Sequence, residues 1–261
     1  MATVFDIYKT LNSALPFGEA EKWDNSGILV ESNQKVERIL VALDATADVI
    51  KEAAKLNAQL IVTHHPVIFH PLKALSVNEP AVLALKEGIA VLSAHTNYDV
   101  SEMGADAHLS KLLSENIGFC CDGVLDITQI DPQPHGFGRI GCLKKGISSE
   151  DFAKNLKQLL NCDSLRFAPC SKPIYKIAFC CGAGGEYFEK AVSLGCDAFI
   201  TSDVKHSTFI AANNSNTALF VPTHYQMEKP AMQNLATLLS QNFPDIDVSL
   251  SSQEKEPSAV I

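Results

Sequence analysis

Apolar positions change their period several times along the chain, and each change marks an element. Val4, Ile7, Tyr8, Leu11 and Leu15 recur at helical spacing, which predicts an amphipathic helix over residues 4–15 closed by Pro16 and Gly18. The period then shortens. Arg38 to Leu43, Leu60 to Thr63 and Ile89 to Ala94 are short and almost wholly apolar, as strands buried on both faces are. Helical stretches, Ala47 to Leu56 and Ala81 to Glu87, separate them, so this part of the chain reads as parallel strand–helix–strand units.

A second series follows. Arg139 to Leu143 reads as a strand, Ser148-Ser149-Glu150-Asp151 as the cap of a helix, and Leu165 to Ala168 as another strand. Strand Lys176 to Cys180, helix Glu186 to Leu194, strand Ala198 to Thr201 and strand Leu219 to Thr223 then echo the order of the first series. Between the two series, Asp131-Pro132-Gln133-Pro134-His135-Gly136-Phe137-Gly138 is rich in turn formers and predicts a link between lobes. Near the end, Ile246, Val248 and Leu250 alternate, which predicts a last strand added to the first lobe.

Composition narrows the function classes. A net charge of −9 with scattered basic residues disfavours broad nucleic-acid binding, which needs clustered Lys and Arg. No apolar run reaches the roughly 20 residues that cross a bilayer, and the start of the chain lacks a basic head followed by an apolar stretch. The expectation is a cytoplasmic protein without membrane partners. All eight cysteines lie between Cys120 and Cys196, two pairs are adjacent and no C-x-x-C occurs, so they read as reduced core thiols.

The candidate chemistry sits at the strand ends, where open α/β sheets collect ligands. His64-His65 closes one predicted strand, His95 follows another and His224 a third. Pro66 enforces an extended turn after the adjacent pair, which lets the two imidazoles serve separate metals. An acid stands four residues after each of the other two, Asp99 after His95 and Glu228 after His224, and in a first helical turn that spacing puts His224 and Glu228 on one face. These N and O donors suit iron(II), zinc or manganese better than copper(I). His95 is a candidate proton carrier or supporting partner; its plain alternative is packing. Asp203, Lys205 and His206 are candidates for a pocket wall, with Lys205 facing a phosphate; the plain alternative is a solvated helix start. Trp23 and Asn25 are candidates for fixing a loop, although a sole Trp is more often a core plug.

Six motifs occur in order: Trp23-Asp24-Asn25-Ser26-Gly27, Leu43-Asp44-Ala45-Thr46, Thr63-His64-His65-Pro66, His95-Thr96-Asn97-Tyr98-Asp99, Thr201-Ser202-Asp203-Val204-Lys205-His206 and His224-Tyr225-Gln226-Met227-Glu228. In this the chain resembles the Nif-three-like family over nearly its whole length. Many members of that family carry the name GTP cyclohydrolase I type 2 homologue. The resemblance implies two α/β lobes with a dinuclear metal site in the cleft between them, and His64, His65, Asp99, His224 and Glu228 on the ligand positions. It implies two divalent ions per chain and a toroidal homohexamer. Ser202 departs from the glycine expected before Asp203.

If Asp99 and Glu228 share metals, the chain must return to its first lobe. We therefore expect a discontinuous first domain, residues 1–125 plus 222–261, and a second domain over residues 126–221. The expected function is a metal-dependent hydrolase using a dinuclear centre. The resemblance points to GTP cyclohydrolase-type purine ring opening, with attack at C8 and release of formate. His95 or Asp203 would then move protons, and Lys205 and His206 would hold a small nucleotide. Two alternatives use the same donors: a metal-binding or metal-handling scaffold without turnover, and a metal-dependent nucleotide phosphoesterase.

Overall fold

The computed structural model describes residues 2–129 and 134–260. It opens with a two-residue strand, β1 (Ala2–Thr3), and the predicted helix, α1 (Val4–Ala14). Thr3 starts that helix through a reciprocal cap: Asp6 N donates to Thr3 Oγ1 at 3.2 Å and Thr3 N to Asp6 Oδ2 at 2.9 Å. Val4, Ile7 and Leu11 form its buried stripe. The first series then runs β2 (Gly27–Val30), β3 (Lys35–Val36), β4 (Arg38–Ala42), α2 (Ala47–Lys55), β5 (Leu60–Thr63), α3 (Pro80–Lys86), β6 (Ala90–Ser93) and α4 (Thr96–Asp99). Next come α5 (Ala105–Ile117), β7 (Phe119–Gln129), β8 (His135–Ile147) and α6 (Ser149–Leu159). The second series is β9 (Arg166–Ala168), β10 (Ile174–Phe179), α7 (Phe188–Ser193), β11 (Ala198–Ile200), α8 (His206–Ser215), β12 (Ala218–Val221) and α9 (His224–Glu228). Helix α10 (Met232–Asn242) and strand β13 (Asp247–Leu250) close the chain.

Two compact units result, one comprising Met1–Asp99 with Ala231–Lys255 and the other Val100–Pro230 with Glu256–Ile261. The first unit has a five-stranded sheet in the order β13-β4-β5-β6-β2. Its strands are parallel except β2, which runs antiparallel to β6. Every residue of β5 and β6 is buried, which accounts for their unbroken apolar runs. On one face Leu40, Ile61 and Val91 pack with Val49, Ile50 and Ala53 of α2 and Ala84 of α3. The predicted last strand forms as β13 beside β4, with Val248 opposite Ile39.

The second unit has a six-stranded sheet in the order β7-β8-β10-β11-β12-β9. Strands β10, β11 and β12 are parallel, and β9 runs antiparallel to β12 as β2 does to β6 in the first unit. Aromatic rings fill both faces: Phe119, Phe152, Phe179 and Phe220 on one, Phe188 and Phe199 on the other.

Three expectations change. The turn-rich segment does not link lobes: β7 and β8 pair as one long antiparallel hairpin, with Gln129 opposite His135, and Gly136 to Gly138 lie within its return strand. Residues 130–133 of that segment lie outside the described residues. The predicted helix from Glu186 begins as a tighter turn over Gly184–Tyr187 before α7. Cys162, Cys180 and Cys196 are buried as predicted, but Cys120 and Cys121 are exposed because β7 is an edge strand with few inward positions. No helix among the described residues is long and apolar enough to cross a membrane.

Candidate metal centre

The first unit gathers three imidazoles at the carboxyl ends of its parallel strands. Thr63 ends β5, and its hydroxyl shares a 2.7 Å bond with Ser93 Oγ and donates to the His65 carbonyl at 2.8 Å, which fixes the exit turn. His64 is fully buried, and its Nδ1 lies 2.9 Å from the Ala94 carbonyl. A carbonyl only accepts, so Nδ1 carries a proton and Nε2 is the nitrogen left to face a ligand. That Nε2 lies 3.4 Å from Asp99 Oδ1. His65 Nδ1 is 2.8 Å from Asp44 Oδ1, and His95 Nδ1 is 2.8 Å from Asp24 Oδ1. All three rings are thus anchored through the same nitrogen, the arrangement that orients imidazoles for metal binding.

The rings stand close together. Their centroids are separated by 4.9 Å (His64 to His65), 5.0 Å (His64 to His95) and 5.7 Å (His65 to His95). One ligating atom from each lies within 4.8 Å of the others. His95 therefore belongs to the imidazole cluster itself, closer than strand order suggests.

Asp24 holds this cluster from behind. Its side chain has no exposed surface. Besides His95 it accepts from Ser26 Oγ at 2.8 Å, Thr96 Oγ1 at 2.6 Å and Thr96 N at 3.1 Å. Burial raises its pKa, but these hydrogen bonds and the His95 charge outweigh burial and hold the carboxyl well below the usual carboxylate range.

The second unit places one imidazole and one carboxylate on a helix start. Thr223 caps α9, accepting from Gln226 N at 3.2 Å, so His224 and Glu228 fall on one face of the first turn. His224 Nε2 lies 2.9 Å from Glu228 Oε2, and His224 Nδ1 lies 2.6 Å from Asp203 Oδ2. Glu228 is only 3% exposed. Gly182 explains how a carboxylate fits there: its φ is +66°, and a Cβ at that position would come within 2.1 Å of Glu228 Oε1. The glycine turn is itself held by Asp106, a buried carboxylate that accepts from Cys181 N and Gly138 N, each at 2.7 Å.

The expected residues thus divide between the units. His64, His65, His95 and Asp99 come together in the first, and His224, Glu228 and Asp203 in the second. Lys205 occupies the N-cap position of α8 without a side-chain cap bond and His206 is the helix's first residue; both stand outside these donor groups among the described residues. Trp23 is not a core plug: it is 61% exposed. Sequence reasoning misses the supporting roles of Asp24, Asp44, Asp106 and Gly182. A signal exists for Asp24 and Asp44, since both stand inside the ordered motifs. The donor set fits a divalent ion: anchored imidazoles and shielded carboxylates are N and O ligands for zinc, iron(II) or manganese.

The family profile of Duf34/NIF3 (NGG1p interacting factor 3) matches residues 2–257. The chain belongs to the DUF34/NIF3 family. It is 32% identical over 246 residues to the GTP cyclohydrolase 1 type 2 homolog of Campylobacter jejuni, covering 92% of each chain. Its identity to the homolog of the same name in Clostridium perfringens is 29% over 259 residues, covering 97% of each. Among solved structures, the Staphylococcus aureus hypothetical protein SA1388 matches with a TM-score of 0.87 at 28% identity, covering 99% of each chain. These likenesses span essentially the whole DUF34/NIF3 chain and agree with its mixed α/β fold.

Proposed function

We propose that this DUF34/NIF3 chain is a metal-dependent hydrolase. In this reading His64, His65, Asp99, His224 and Glu228 together hold two divalent ions, iron(II), zinc or manganese. The observation that carries it is the set of three imidazoles anchored through Nδ1 with their ligating atoms within 4.8 Å. Bound divalent ions supply Lewis acidity and bring the ionisation of water near neutrality. The protein's own groups supply the rest. Asp24 keeps the His95 Nδ1 proton in place, so His95 Nε2 is the atom that takes up or releases a proton. Asp203 orients His224 in the same way. Lys205 and His206, at the start of α8, suit the phosphates of a small nucleotide. The relatives' name, GTP cyclohydrolase 1 type 2 homolog, makes purine ring opening the reaction to test first.

The test is metal content per chain of protein purified without added metal, beside a His65→Ala, Glu228→Ala double variant, with formate release from GTP assayed on both. About two metals lost in the variant, with turnover lost in parallel, is the expected result. Metal retained without turnover moves the reading to a metal-handling role, which the family's description as an interacting factor favours. His95→Gln separates roles further. Metal kept with turnover lost assigns His95 to proton transfer, and metal lost makes it a ligand.

A further inference from the structure

The protein's only tryptophan stands in the open. Trp23 is 61% exposed and Phe69, from the loop after His65, is 39% exposed. Their ring centroids are 6.0 Å apart with planes inclined at 55°. The His95 imidazole closes the group, 6.3 Å from Trp23 at 77° and 6.0 Å from Phe69 at 84°. Three rings therefore bound one small patch of the first unit, two of them aromatic and the third an imidazole whose Nδ1 is held by Asp24.

The backbone around Trp23 is fixed on both sides. Glu21 N donates to Thr96 Oγ1 at 2.9 Å, Asp24 N to Glu21 O at 2.9 Å and Asn25 N to Asp24 Oδ1 at 2.7 Å. Asn25 Nδ2 also donates to the Ile68 carbonyl at 2.5 Å, which ties the Trp23 turn to the loop that carries Phe69. A large apolar ring held mostly outside the core by a fixed turn gains little from burial in this fold. Such an arrangement is preorganised for a ligand.

We propose that Trp23 and Phe69 form a stacking platform for a planar heteroaromatic ring, with His95 matching a heteroatom on the ring's edge. An aliphatic ligand would use the faces and leave the imidazole nitrogen unmatched; a heteroaromatic base uses both. The platform rests on its own geometry. The choice of a purine as the ring rests on the hydrolase reading above.

Because Trp23 is the sole tryptophan, its fluorescence reports on this patch alone. Wild-type protein is titrated with guanosine and separately with inorganic triphosphate, and calorimetry measures guanosine binding to Trp23→Ala and Trp23→Phe. Saturable quenching by guanosine and none by triphosphate is expected. Trp23→Ala should weaken guanosine binding about tenfold or more, and Trp23→Phe should keep most of it. Absence of quenching, equal quenching by triphosphate, or unchanged affinity in Trp23→Ala overturns the platform. So does an emission shift that follows protein dilution instead of guanosine, which would mean that a second copy of the chain covers the ring. Metal content of the same samples keeps the two ideas apart. Bound metal without base binding sinks the platform alone, and base binding without metal sinks the hydrolase reading alone.

Discussion

The two units share one topological core and differ in what it carries. Each has three successive parallel strands with helices between them and an antiparallel strand beside the third; on the other side the first adds β13 parallel to β4 and the second adds β8 antiparallel to β10. At the end of the middle strand the first unit has Thr63-His64-His65, and the second has Thr201-Ser202-Asp203. After the third strand both have His followed four residues later by an acid, His95 and Asp99, then His224 and Glu228. The first unit thus presents three imidazoles on strand-end turns, held from behind by carboxylates and a carbonyl. The second presents one imidazole and one buried carboxylate on a helix start, made possible by a glycine. A repeated scaffold places polar groups at matching points, and the residue at each point decides whether it becomes a donor or its support.

The largest expected effect separates the ways the units seat their donors. Gly182→Ala carries roughly 1–2 kcal/mol of left-handed backbone strain. It also drives a methyl group against the Glu228 carboxylate, whose Oε1 would lie within 2.1 Å of the added carbon. We expect metal content as low as in Glu228→Ala, together with a lowered Tm. Gly18→Ala, in the first unit, meets nothing within 4 Å and needs no left-handed backbone, so it should leave metal content at the wild-type level. Equal metal loss in both variants would break the contrast.

The next effect grades the supporting carboxylates. Asp24 has no exposed side-chain surface and serves His95, Ser26 and Thr96, whereas Asp44 is 47% exposed and Asp203 56% exposed. Loss of a partner behind a metal-binding imidazole typically lowers affinity by about 10–100-fold. Asp24 stands behind His95, which moves a proton in this reading, so Asp24→Ala should keep zinc affinity within about tenfold of wild type and lower stability by about 1–3 kcal/mol, because buried donors lose their acceptor. Asp44→Ala and Asp203→Ala should weaken zinc by less than about tenfold, since water can replace an exposed partner. Competition titration with a chelator measures all three.

Much of this comparison is legible in the sequence, and the reasons are physical. Buried parallel strands have unbroken apolar runs, so β4, β5, β6 and β10 to β12 can be read directly, and the strand ends with them. His224 and Glu228 are readable because helix geometry fixes an i, i+4 pair. Asp24 stands in an ordered motif, but its partner is not readable, because it reaches His95 across 71 residues and no local period encodes that approach. Gly182 is hidden for the same reason: its role is to leave space for Glu228, a side chain far along the chain. The β7–β8 hairpin escapes because only Phe119 and Leu125 of β7 are buried, too few to mark alternation. Trp23 carries no periodic signal, and composition alone favours the wrong environment.

The smallest effect is one of pH, and its sign differs between the units. In the first, Glu52 on α2 accepts from Ser252 N at 2.9 Å and from the Ser251 and Ser252 hydroxyls, pinning the chain just after β13. Burial raises its pKa, but these bonds outweigh burial and hold it below its ordinary value of 4.5. A depressed carboxylate pKa stabilises the fold above the unfolded value, and that contribution is lost as pH falls through the folded one. Glu52→Gln should therefore lower Tm at neutral pH by roughly 2–4 °C, for an effect on the order of 1 kcal/mol after allowance for partial exposure. The gap to wild type should close as pH drops below 4.5. In the second unit, burial pushes the Asp106 pKa above 3.8, outweighing the Cys181 and Gly138 amides and the Arg139 charge. A raised pKa favours the protonated fold, so that contribution is complete below 3.8 and is lost as pH rises through the folded value. Asp106→Asn keeps an uncharged group there at every pH, so wild type should lose stability relative to this variant as pH rises. Wild type should gain stability relative to Glu52→Gln over the same rise. Thermal melts of both variants from acid to neutral pH read the two trends, and differences from wild type that move in the same direction would show that the units do not treat these carboxylates differently.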